Sequence, residues 1–312
     1  MKRSIAIFVG LIMLALISVF SVAFSQGQSQ ELADSPKVIA RSRNNNGEQP
    51  TGPAKTGNAK PGSNGITYHG GPLLGVVGGP PLTAYYIWYG NWSGNSATTI
   101  LTDFAQNIGG SPYFNINTTY YNGSNAHIVN AVTYGGSTTV GYTHGTTLSD
   151  SGVQAVVSDA ITSGALPNNT GAVYFVLTSA DVNESSGFCT QYCGWHTYGT
   201  IAGSNIKYSF IGNADRCPSA CAAQTTGPNG NAGADAMASI IAHELEEAAT
   251  DPNINAWYQG RYQENGDLCA WHFGTTYTVA NGAQANMRLG SRDYLIQQNW
   301  VNALGGLCAL SY

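Results

Sequence analysis

The chain has 312 residues, with twelve Lys and Arg against seventeen Asp and Glu, a formal net charge of −5, and 9 % charged residues beside 39 glycines. From Ile66 onward five basic residues face fourteen acidic ones, a formal charge of −9. The basic footprint that nucleic acid requires is missing, so a nucleic-acid partner is not expected.

In chain order, Lys2 and Arg3 precede an apolar run from Ile5 to Val22 and the small-residue pattern Ala23-Phe24-Ser25. This predicts a secretory signal peptide over residues 1–25. A polar tail follows in place of a stop-transfer pattern, so no stable membrane anchor is expected after cleavage and the mature protein is expected to be secreted and extracellular. Residues 26–65 are rich in Gly, Asn, Ser, Gln, Lys and Pro without periodicity. Such a stretch cannot bury enough apolar surface to offset the entropy of ordering, and a disordered leader is expected. Residues 66–312 are long enough for one large domain with a full core.

Within that domain the aromatic run Ala84 to Tyr89 predicts a buried strand. Ala97, Ile100, Leu101, Phe104, Ala105 and Ile108 recur at helical spacing and stop at Gly109-Gly110. Val153, Val156, Val157, Ala160 and Ile161 form a second helical stripe, opened by Ser149-Asp150 as caps and closed by Gly164. The continuous apolar run 172–179 reads as a central strand covered on both faces, and Ile206 to Ile211 as another. Strands and helices mixed in one chain predict an α/β fold, a single layered domain with a mixed sheet.

Six cysteines in an exported chain predict three disulfides, and the domain is expected to be stapled by them. Fifteen pairings are open. The simplest is local, Cys189 with Cys193 and Cys217 with Cys221, leaving Cys269 and Cys308. A C-x3-C zinc site ranks below this, because it needs thiolates that an oxidising compartment removes.

Asp235 reads as an N-cap and Pro252 as a stop, so a helix is predicted over about 236–249. At about 100° per residue, Met237, Ile240, Ile241, Leu245 and Ala248 make its apolar stripe. Glu244 falls inside that stripe, His243 and Glu247 lie on its shoulder, and Glu246 lies on the far side where a solvated glutamate belongs. A carboxylate in an apolar stripe is costly unless it is paired or lines a cavity, and an i,i+4 pair can reach one point. The arrangement H-E-x-x-E follows the logic of zincin helices, with two zinc ligands, His243 and Glu247, and Glu244 between them as general base. The rival reading is a hydrogen-bonded His243–Glu247 pair with Glu244 at a rim or bound to an arginine such as Arg261. A third ligand is expected from the loop Glu264-Asn265-Gly266-Asp267. Asp267 is favoured because Gly266 and Cys269 would fix its loop, with Glu264, Asp251 and His196 as alternatives. His196 has a rival reading of its own, a loop histidine bonded to backbone. His69, His127, His144 and His272 read as structural, and no P-loop, dinucleotide fingerprint or G-x-S-x-G elbow is present.

The strings TYHGGPLL, YIWYGNW, GALPNNTGAVYFVLTSADV, FCTQYCGWH, AHELEEAATDPNINAWYQG and ENGDLC, in this order, resemble landmarks of the EXORDIUM or phosphate-induced protein family of secreted plant proteins. The resemblance spans nearly the whole domain and implies an extracellular or cell-wall protein linked in plants to growth and nutrient responses. It carries no established biochemical activity. The family's H-E-x-x-E and E-x-G-D-x-C patterns map onto His243, Glu244, Glu247, Glu264 and Asp267, whereas Asp251 stands where the plant pattern has Asn. The Thr, Asn and Gly-rich texture points to a member from outside plants. Two function classes follow: a zinc-dependent hydrolase, peptidase-like, with Zn on His243, Glu247 and Asp267; or a non-catalytic module of the cell surface. Its extracellular partner would be a peptide or a polysaccharide; the aromatic residues around Tyr85 to Trp92 and Trp257-Tyr258 offer faces that stack on either, but plain core packing is their favoured reading.

Overall fold

The structure, a computed structural model, describes residues 65–312 except 261 and 262, together with the backbone of 38–41. The expected signal peptide, most of the expected leader and Arg261 lie outside the described residues.

One six-stranded sheet organises the chain. Its strands are β1 Val38–Arg41, β2 Leu82–Tyr89, β3 Val132–Val140, β4 Ala172–Thr178, β5 Tyr192–Ile201 and β6 Ser204–Ile211. They lie in the order β1-β5-β6-β4-β2-β3. The four strands β6, β4, β2 and β3 run parallel to one another, and β5 runs antiparallel to both β6 and β1. This is the expected mixed sheet. Every residue of β2 and of β4 is buried, as continuous apolar runs in central strands should be. In β3, at the sheet edge, intermediate and exposed residues alternate. β5 and β6 form a hairpin whose two connecting residues, Ala202 and Gly203, both have positive φ (48° and 75°), as a tight two-residue hairpin turn demands. The backbone of β1 falls in the expected leader, at the one place where that leader carries adjacent β-branched residues, Val38 and Ile39.

Three helices cover the sheet: α1 Ala97–Asn107, α2 Asp150–Thr162 and α3 Ala232–Thr250. Two glycines of β5 show that α2 and α3 lie on opposite faces. A Cβ on Gly194 would meet Ile240 and the Glu244 carboxylate of α3, and one on Gly199 would meet Gln154 of α2. Five residues apart on one strand, those positions face opposite ways. His196, two residues from Gly194, therefore faces α3.

α3 is longer than its apolar stripe predicted. Its N-cap is Asn231, whose side chain accepts from Ala234 N at 3.1 Å. Asp235, expected in that role, sits inside the first turn and instead accepts from Asn229 N at 2.9 Å. The expectation that Glu246 is solvated is also overturned, since it is fully buried. A wheel with one wet face presumes a helix covered on one side. Here the segment after Pro252 folds over the other side: Gln297 N donates to Ser239 Oγ at 3.0 Å and Asn299 Nδ2 to Glu246 Oε2 at 2.6 Å. The aromatic residues Tyr85, Tyr86, Trp88, Tyr89 and Trp92 are 0 to 7 % exposed. They are core side chains, the favoured reading of that run. Among the described residues no helix is long and apolar enough to cross a membrane.

The disulfides are Cys189–Cys217, Cys193–Cys221 and Cys269–Cys308. The close pairs are therefore cross-linked to each other as two rungs, and the simplest local pairing does not occur. The rungs fasten the beginning of β5 to the helical turn Pro218–Cys221, and the third bridge fastens the loop after Gly266 to the last hairpin, Asn299–Val301 with Leu307–Ala309.

Candidate metal centre

Between β5, the C-terminal half of α3 and the loop 264–267, two histidines and five carboxylates meet. α3 supplies His243, Glu244 and Glu247, and its C-cap supplies Asp251. β5 contributes His196, and the loop contributes Glu264 and Asp267. Gly194 and Gly266 make the approach close. A Cβ on Gly266 would stand 2.9 Å from Glu247 Oε1 and 3.0 Å from the His243 ring, so a side chain there would invade the cluster.

His243, Glu247 and Asp267 form one group able to hold a cation. His243 Nε2 lies 2.9 Å from Glu247 Oε1 and 3.8 Å from Asp267 Oδ1, while Asp267 N donates to Glu247 Oε1 at 3.0 Å. Zinc bonds of about 2.0–2.2 Å set tetrahedral ligands about 3.4 Å apart, and these separations straddle that value. Despite the 2.9 Å contact, His243 Nε2 lacks hydrogen-bond geometry, and Nδ1 has no hydrogen-bond partner. His243 and Glu247 thus make the i,i+4 contact of the rival reading, without the angles of a strict hydrogen bond.

His196 is a strand residue and not the loop histidine of the rival reading. It is fully buried, with Nδ1 at 3.2 Å from Glu244 Oε2 and 3.5 Å from Glu247 Oε2. Its Nε2 lies 3.6 Å from Glu264 Oε2 and 3.4 Å from the Asp251 carbonyl. Neither oxygen of Glu264 receives a hydrogen bond from a donor. Asp251 uses Oδ1 to accept from Asn255 N and Ala256 N, at 2.5 and 2.6 Å, which closes the turn after the helix.

The electrostatics follow from burial. Loss of water drives Glu244 and Glu264 upward, Glu264 well above the usual carboxylate range, and takes Asp267 up to about 8. Glu247 is equally buried, but the charges of His243 and His196 hold it down to about 2. Burial disfavours charge on both histidines, yet the carboxylates outweigh it and carry His196 up to about 10 and His243 up to about 9. Such a cluster keeps its shape only by retaining protons or by taking up cations.

All of the residues singled out in the sequence for this site, His243, Glu244, Glu247 and Asp267 with Glu264, Asp251 and His196, are brought together. Sequence reading under-weighted His196. The available signal was its place three residues after Cys193, in a run of ten strand residues of which eight are buried. His69, His127 and His144 lie elsewhere: His69 stacks on Tyr258, His127 bonds to Thr118 O and His144 to Asp159.

Residues 66–288 match the model of the phosphate-induced protein 1 conserved region. The chain is 32 % identical to Protein EXORDIUM-like 3 of Arabidopsis thaliana over 77 % of its own length and 81 % of that protein. It is 30 % identical to Protein EXORDIUM-like 5 of the same plant over 75 % of each. It is 26 % identical to Protein PHOSPHATE-INDUCED 1 of Nicotiana tabacum over 62 % of its length. No solved structure matches.

Proposed function

The chain belongs to the phosphate-induced protein 1 family, and from the site it carries we propose that it is an exported zinc-dependent hydrolase, peptidase-like in its helix. What carries this reading is the convergence of His243, Glu247 and Asp267 from one helix and one loop at separations that suit a tetrahedral shell. Zinc at such a position supplies Lewis-acid activation of water and of a carbonyl oxygen. His243 would bind through Nε2, the nitrogen that faces both carboxylates. Glu244, one residue along the same helix and fully buried, has a raised affinity for protons and would take one from water. Export follows from the signal-like start of the chain and agrees with three disulfides.

The first test is metal content of the purified mature protein beside a Glu247→Ala variant after identical dialysis. Stoichiometric zinc in the native chain and its loss in the variant supports the site and justifies a screen of peptide substrates. A chain of native fold with no affinity for zinc would end the reading. One observation favours a second reading, an extracellular binding module with a structural ion. The side chains of His196, His243, Glu247 and Glu264 are 0 to 1 % exposed, and only Asp267, at 10 %, reaches the surface. Zinc bound without turnover of any peptide would favour the module.

A further inference from the structure

We propose that this site holds two divalent cations, the second on His196, Glu244 and Glu247, with the Glu247 carboxylate bridging the pair. This rests on the reading that His243, Glu247 and Asp267 hold the first.

The two ligand groups share Glu247 and use different oxygens of it. Oε1 faces His243 and the Asp267 amide, and Oε2 faces His196. Glu247 Oε2 is buried and has no hydrogen-bond partner. The second group has its own ligand geometry: His196 Nδ1 stands 3.2 and 3.5 Å from Glu244 Oε2 and Glu247 Oε2, close to the edge of about 3.4 Å expected around zinc. A bridging carboxylate places two ions about 3.5–4 Å apart, the spacing of two-metal hydrolytic sites.

Charge argues the same way. Glu244, Glu247, Asp251 and Glu264 are fully buried and Asp267 nearly so. With all five ionised, one divalent cation offsets two of the carboxylate charges and two cations offset four. Glu264, both of whose oxygens lack a donor, lies on the far side of the His196 ring. With Nε2–H donated to the Asp251 carbonyl 3.4 Å away, Nδ1 presents its lone pair to the cation, the orientation that a backbone carbonyl or carboxylate commonly imposes on metal-bound histidine. In the two-cation state Glu244 is a ligand, so its role as base belongs to the one-cation state. Water held between two cations is acidified by both.

The test loads the mature protein with zinc, removes the excess by desalting, and counts metal per chain by mass spectrometry for the native protein, His196→Gln and Glu244→Gln, with circular dichroism to verify the fold. The expected result is about two zinc ions in the native chain and about one in either variant. One ion in the native chain and one in His196→Gln would overturn the second position and leave the first intact. No ion in the native chain would remove both. Should the variants fail to fold, the native protein loaded with Mn2+ decides. A spin-coupled paramagnetic resonance spectrum is expected from two ions sharing a carboxylate, and the six-line spectrum of isolated ions rules the proposal out.

Discussion

Glu246 and Glu247 are neighbours in sequence and are buried on faces of the same helix about 100° apart. Glu247 faces two histidines and stays ionised. Glu246 has no cation beside it among the described residues, and burial drives it well above the usual carboxylate range despite the hydrogen bond from Asn299. It also raises the hydroxyls of Tyr113 and Tyr120, which burial alone already pushes up. Glu246 thus belongs to the packing between α3 and the C-terminal segment, not to the candidate metal centre. Asn299→Ala removes its donor inside a dry interface. The expected cost is about 1–3 kcal/mol, read as a lower urea midpoint at unchanged slope, with zinc content unaffected.

At the scale of elements, the centre depends on how tightly β5 and α3 are held together. Gly194 permits the contact, since a Cβ there would stand 2.6 Å from Ile240 Cγ2. The Cys193–Cys221 bridge, closing a separation of 28 residues, anchors the strand three residues before His196. A Cys193→Ala/Cys221→Ala variant is expected to lose about 2–4 kcal/mol of stability, measured by thermal melting, and to bind zinc more weakly because His196 is less fixed. The N-terminal turn of α3 carries a separate titration. Asp235 is raised by burial, which the hydrogen bonds from Asn229 only partly offset. The folded chain therefore keeps its proton to higher pH than the unfolded chain does, so this group's contribution to stability declines as pH rises from 3.8 through the raised value. Compared with native protein, Asp235→Asn should gain relative stability as pH climbs through that window and show a constant difference above it. Melting curves of both proteins across mildly acidic pH check the sign.

For the whole molecule, the polar cluster is enclosed by the sheet, α3 and the C-terminal segment, so the proposed cation binding would be linked to folding stability. A ligand that binds only the folded chain at a thousand times its dissociation constant adds about 4 kcal/mol. Chelation at neutral pH is expected to lower the melting temperature, and restored zinc to recover it; equal melting with and without chelator would argue against a bound cation. Much of this architecture was legible in the sequence. The all-buried strands β2 and β4 were continuous apolar runs, α1 and α2 repeated at helical spacing, and H-E-x-x-E placed three chemical groups on one helix, because these features depend on neighbours a few residues apart. Glu246, His196 and the cysteine pairing were misjudged or left open for the opposite reason. Each depends on chain 28 to 53 residues away, Cys217 and Cys221 for the bridges, Glu244 for His196 and Asn299 for Glu246. Local pattern thus determined the elements and the chemical types of the site. Only tertiary packing decided that α3 is buried on every side, because burial of a helix face is set by what folds over it, and in this chain two remote segments cover opposite faces.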